Sequence, residues 1–237
     1  MFCDTLPVVD GSIWLRFDLD LRESLGQRLQ PDAVILQEDR NLVMAPPGVL
    51  DLDRNDDLVG AYLAILRHRP LPLGQYLLLP GHARQARWTY HAVVHDLERR
   101  PSARPGSVRK SLEAVIADAP RRGLQHIAAE PLGVWGSRGL SLEEMLEAFD
   151  ESVLEASLTI DAPLRLTLML GDLEQLEEAS HLLRSQVLRR ASRSFRTVGG
   201  DAAVVEVRRP GARLHFRFVP GSLSGYKVTR LAPTVGA

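Results

Sequence analysis

The stretch of the chain that most invites chemistry is "PLGVWGSRG", residues 131–139, where Gly133, Gly136 and Gly139 surround Trp135. It stands between a short apolar run and an amphipathic segment. Glycine has no Cβ, so such a stretch can turn sharply and lets a ligand approach the main chain closely. The segment after it opens on Ser141 with Glu144 three residues on, the spacing of a capping box at a helix start. That helix would aim unpaired N–H groups and the positive end of its dipole at whatever sits over the loop, which favours a phosphate. Two readings of the loop stand side by side, a phosphate cradle and an ordinary glycine-rich turn from strand to helix.

Other reactive side chains are sparser. Glu38 and Asp39 follow an apolar run, and either carboxylate could activate water as a general base if a ligand lay beside it, Glu38 being the candidate catalytic residue should the chain prove a hydrolase. The alternative is that both belong to a solvated turn, as acidic loop residues mostly do. His91 and His95 have the i, i+4 spacing that binds a metal on a helix. Here they lie in "ARWTYHAVVHDL", which reads as a strand and sets them about 13 Å apart. A metal pair is therefore not expected, and His91 reads as a buried, hydrogen-bonded histidine. The remaining histidines have no ligand spacing, and Cys3, the single cysteine, has no partner for a disulfide and no neighbour to activate it. Serine-hydrolase elbows, Walker signatures and the dinucleotide fingerprint are missing. The arginine-rich run 184–196 reads as a phosphate contact or, more simply, as a basic helix end that complements the helix dipole. No metal or other cofactor is expected.

These groups need a scaffold, and the patterning supplies one. Short apolar runs alternate with amphipathic segments, which predicts an α/β domain. Strands are expected at 12–20, where Ile13, Leu15, Phe17 and Leu19 alternate, and at 32–39, whose continuous apolar centre suits a strand covered on both faces. Further strands are expected within 74–83, 86–97, 124–133 and 164–170, and helices at 55–69, 105–123, 140–157 and 172–192. From about residue 196 the texture changes to alternating strands around turn residues, "DAAVVEVRR", "ARLHFRFVP" and "GYKVTRL". The division expected is an α/β domain over 1–183 and, over 184–237, a basic helix end followed by a β-hairpin extension that packs on the main sheet or serves as a dimer arm.

Composition bounds the rest. With 29 Lys+Arg against 30 Asp+Glu the chain lacks the excess charge of a domain-wide polyanion surface, so a nucleic-acid partner is not expected without a local patch. No apolar run reaches the length of a membrane span and no signal peptide is evident, so the expectation is a cytoplasmic protein without a membrane partner.

In this order the features resemble the macro domain, the ADP-ribose-binding α/β/α module, over roughly residues 12–183. "DLDL" is similar to the stretch that places an acid, here Asp20, at the adenine. "PDAVILQED" resembles the strand leading to the first ligand loop, and "LPLGQYLLLPGHARQARWTYHAVVHD" keeps Gly74, Gly81, His91 and Val93 in step with the family's pattern. "EPLGVWGSRGLSLEEM" resembles the second ligand loop, with Gly133, Val134, Trp135 and Gly136 at its glycine-aliphatic-aromatic-glycine positions.

The resemblance implies a three-layer fold around a mixed sheet of about six strands, with the β-rich extension added. It also implies a ligand of the ADP-ribose or nucleotide-diphosphate class. Asp20 would face the adenine, the Gly133–Gly136 backbone the phosphates, Trp135 the ribose side, and Gly48 and Val49 the edge of the first loop. That first loop departs from the pattern. Gln37, Glu38 and Asp39 stand where the family has its asparagine turn, and Pro46 and Pro47 occupy two glycine places, where proline offers no N–H to a diphosphate. The departures leave open a fold used for protein interaction or dimerisation without a nucleotide, and a de-ADP-ribosylating hydrolase.

Overall fold

The computed structural model describes residues 14–44, 63, 67–81, 86–191, 204–209, 212–218 and 225–231. Among the described residues nine strands form one sheet: β1 (Trp14–Leu21), β2 (Ala33–Asp39), β3 (Tyr76–Pro80), β4 (Trp88–His95), β5 (His126–Ala129), β6 (Leu164–Leu170), β7 (Val204–Arg209), β8 (Ala212–Phe218) and β9 (Gly225–Leu231). Their order is β3-β4-β2-β5-β6-β1-β9-β8-β7. The central strands β4, β2, β5, β6 and β1 run parallel, while β3 at one end and β9, β8 and β7 at the other are antiparallel to their neighbours.

Among the described residues three long helices cover one face: α1 (Pro105–Arg121), α2 (Leu142–Thr159) and α3 (Leu173–Ala191). α1 opens on a proline, whose missing N–H costs nothing in a first turn. It presents Val108, Leu112, Val115, Ile116 and Ala119 as a stripe of helical period to the sheet. The chain leaves that helix at Gly123, with φ +72°. α2 starts with the expected capping box, Ser141 accepting from the Glu144 amide and Glu144 from the Ser141 amide. These helices enclose the main core with Leu15, Phe17 and Leu19 of β1, Ile35 of β2, Tyr90 and Ala92 of β4, and alternate leucines of β6. Smaller apolar clusters around Val34, Ala128 and Met169, and around Val93 and Leu79, lie on the second face.

The six strands read from the sequence are β1–β6, and the β-rich segment lengthens the same sheet. β9 lies along β1 with Phe17 opposite Tyr226 and Leu15 opposite Val228. Tyr226 and Val228 are fully buried. The Tyr226 ring meets Phe17 edge-on at 5.7 Å, and its hydroxyl donates to the Asp150 carboxylate on α2. The helix expected at 55–69 falls almost wholly outside the described residues, as do Gly48 and Val49 of the first loop.

Candidate functional site

Parallel strands open a crevice at their carboxyl ends, and there the loop 131–139 leaves β5. Its glycines are demanded by its own shape. Gly133 has φ +82°, and a Cβ on it would lie 2.9 Å from Val108 Cγ2 and 3.0 Å from Leu140 Cδ1. A Cβ on Gly139 would fall 2.3 Å from both the Gly133 oxygen and the Trp135 nitrogen. The loop closes on itself through Leu140 N–H to Gly133 O, 2.8 Å, and Arg138 N–H to Trp135 O, 3.2 Å.

Gln37, near the end of β2, pins this loop to the sheet. Its Oε1 accepts from Gly133 N at 3.0 Å and its Nε2 donates to Val134 O at 3.3 Å. Because Oε1 receives the Gly133 amide, His95 Nε2, 2.8 Å from the same oxygen, must be the protonated ring nitrogen. Nδ1 then faces Ser102 Oγ at 3.1 Å. Burial lowers the His95 pKa to about 4, against a weaker pull upward from Asp39, so the ring is neutral near pH 7. Trp135 stands edge-on to that ring at 5.9 Å between centroids and remains 40% exposed, an aromatic surface at the crevice mouth. Val134 is partly buried, and Gly136 has φ +51° with open space where a Cβ would stand.

The acidic residues are placed otherwise than a solvated turn would place them. Glu38 and Asp39 are the last residues of β2 and are 0% and 2% exposed. Glu38 Oε1 lies 3.0 Å from His91 Nδ1, and Oε2 accepts from Met44 N at 2.9 Å. Asp39 accepts from Val43 N at 2.9 Å, just past a register shift in the β2–β4 ladder. Both carboxylates thus tie residues 43 and 44 to the strand end. Fully buried His91 is hydrogen-bonded, as its place in a strand implied. A third acid, Glu130 at the end of β5, accepts from Gln37 N at 2.5 Å. Its pKa is raised by burial, with Glu38 adding to the rise and the Gln37 amide and Arg22 opposing it.

Gln37, His95, Gly133, Val134 and Trp135 therefore form one cluster. Asp20 is the penultimate residue of β1, with β6 between that strand and β5. Its Oδ1 accepts from Leu21 N, Ser24 Oγ and Arg28 Nη2 at 2.7–2.8 Å, which holds the short turn after β1. Gln37 stood out in the sequence only as a replacement in the first loop, His95 only as half of a metal spacing that a strand rules out, and Glu130 carried no signal. Among the described residues no group of His, Cys, Asp or Glu could hold a metal ion, and no helix is long and apolar enough to cross a membrane. A cavity of about 390 Å³ between α1 and α2, lined by Glu113, Pro120, Glu155 and Asp161 among others, contains none of the cluster.

No protein-family model matches the sequence, and no curated protein matches it. Solved structures do. The Oceanobacillus iheyensis macrodomain with ADP aligns at TM-score 0.55 and 13% identity over 67% of this chain and 86% of its own. A mutant of that macrodomain with ADPR aligns at TM-score 0.58 and 12% identity, over 73% and 94%. The macro domain of ganglioside induced differentiation associated protein 2 aligns at 0.54 and 14%, over 70% and 83%. The sheet order, the helices and these alignments give the chain the macro-domain fold.

Proposed function

We propose that this macro-fold chain binds ADP-ribose or a related nucleotide diphosphate at the crevice formed by the ends of β2, β4 and β5. The observation that carries the reading is the loop 131–139, tied to the sheet by Gln37 and presenting half-exposed Trp135. The ADP and ADPR present in two solved structures of the Oceanobacillus iheyensis macrodomain support the ligand class. Phosphates would lie over the Gly133–Gly136 backbone and the start of α2, and Trp135 would cover the ribose side. Asp20 would reach the adenine by giving up one of its partners at the end of β1, and Gly48 and Val49 would complete the rim. Calorimetric titration with ADP-ribose should show saturable binding that Trp135→Ala weakens at least ten-fold with the fold intact. A folded protein that binds nothing at millimolar ligand overturns the reading.

Glu130 favours a second reading, an interaction module without a nucleotide. Its carboxyl already occupies the Gln37 amide at the end of β2. Glu130→Gln separates the two, since it should strengthen ADP-ribose binding if the carboxylate competes with the ligand and change nothing if the crevice takes none. Hydrolysis through Glu38 would require that buried carboxylate to release His91 or the Met44 amide before it could reach water.

A further inference from the structure

The carboxyl end of α2 carries charge of the wrong sign for a helix. A helix ends in unpaired carbonyls and the negative end of its dipole, where lysine or arginine stabilises and an acid costs. α1 follows that rule with Arg121 in its last turn, whereas α2 has no basic residue in its own. Glu155 stands one turn before the end of α2, and Asp161 follows just past it. Both are exposed, and with partly exposed Glu113 of α1 they line the cavity of about 390 Å³ between the two helices. Among the described residues none of these three acids is in an ion pair, although Glu151, one turn before Glu155, is bonded to Arg109 at 2.5 Å. The guanidinium of Arg121, at the end of α1, also lines the cavity and leaves the three carboxylates in excess. Acids set against a helix dipole with no partner break a local rule of stability, and such breaks mark functional positions.

Beneath the acids the cavity is apolar. Ile116, Ala156 and Ile160 are at most 7% exposed and belong to the main core. The volume falls within the range of about 300–1,000 Å³ of small-molecule sites. Among the described residues no group of acids could hold a metal ion, so a compact divalent cation does not suit the three. What suits them is a cation with several charges held apart and hydrocarbon between, which can lie on the floor as a lysine stem lies on an apolar surface.

We propose that this cavity binds a linear aliphatic polyamine, its ammonium groups on Glu113, Glu155 and Asp161 and its methylenes over Ile116, Ala156 and Ile160. A basic peptide fits less well. Its main-chain N–H and C=O groups would lose water over an apolar floor, and the hydroxyl of Thr159 beside it already donates to Ala156 O at 3.3 Å.

The test is calorimetric titration and thermal melting of the full chain with spermidine, beside butylamine, magnesium chloride and an arginine-rich peptide. A single exposed ion pair holds little. Spermidine should therefore bind saturably and raise the melting temperature, and butylamine and magnesium should do neither at equal concentration. Glu155→Gln and Asp161→Asn should each weaken spermidine binding about five-fold. Each also removes a charge that opposes the dipole, so the melting temperature without ligand should stay level or rise. Glu155→Lys combined with Asp161→Lys should abolish binding. A folded chain that takes no spermidine at millimolar concentration, binding that survives the double reversal, or butylamine, magnesium or the peptide binding as tightly as spermidine overturns the proposal. So does a lower melting temperature in both neutral variants, which would make the acids structural. The cavity lies at the opposite end of α2 from loop 131–139, about 25 Å away along the 18-residue helix. The same variants should titrate with ADP-ribose as the parent does, which keeps this result separate from that of the crevice.

Discussion

Gln37 is one side chain with three obligations: the Gly133 amide, the Val134 carbonyl and the His95 ring. Gln37→Leu keeps the size and removes all three, leaving at least two donors buried without an acceptor. At about 1–3 kcal/mol for each stranded donor the variant should lose several kcal/mol in denaturant unfolding. ADP-ribose binding should weaken with it as the loop comes free of the sheet. A variant as stable as the parent would show that the loop holds itself. His95 adds a pH signature. Its pKa is about 6.5 in an unfolded chain and about 4 in the fold, and His126, half-buried beside Arg165, behaves alike. Below pH 6.5 the unfolded chain takes up protons that the folded chain refuses, so stability should be level above pH 7 and fall progressively to pH 4. For fully buried His95 the loss approaches about 3 kcal/mol, and Glu130, whose folded pKa is raised, offsets part of it as the pH drops. Urea unfolding of the parent and of His95→Asn across this range checks it; an equal slope in both would remove His95 as the source. The loop's glycines and the Ser141–Glu144 cap were legible because their signals are local. The Gln37 cluster was not, because it joins residues nearly a hundred positions apart, and Glu38 misled because an acid at a strand end looks like a turn until its buried partners are seen.

Among the elements, β1–β6 and the helices α1–α3 were readable from period alone, since each buries one face or stripe against the same core. What period does not give is which strand lies beside which. The segment 225–231 alternates like any edge strand, and nothing in its residues says that it runs along β1 and sends Tyr226 beneath α2. That placement gives the β-rich extension a structural duty toward the α/β part, because β9 covers Phe17 and Leu15, which would otherwise face water at the end of the parallel sheet. A chain ending at residue 224 should therefore lose more than an appendage. Losing two fully buried side chains, one of them a large aromatic, should cost several kcal/mol. In a chain of this size that lowers the melting temperature by ten degrees or more, roughly 2–4 °C for each kcal/mol. Tyr226→Ala in the full chain should reproduce much of the loss. If the truncated chain melts like the parent, β9 adds nothing to the stability of the α/β part.

At the scale of the whole molecule, 29 Lys+Arg against 30 Asp+Glu leave little net field to draw in an anion, so capture of a nucleotide diphosphate falls to the local dipoles of loop 131–139 and the start of α2. A ligand that binds only the folded state raises its stability by about 2.7 kcal/mol when present at a hundred times its dissociation constant. ADP-ribose at that excess should therefore raise the melting temperature by about 5–10 °C. Trp135→Ala should shrink the shift at equal ligand concentration, because the weaker complex populates the bound state less. A melting temperature that ADP-ribose leaves unchanged at millimolar concentration would mean that the crevice takes no nucleotide.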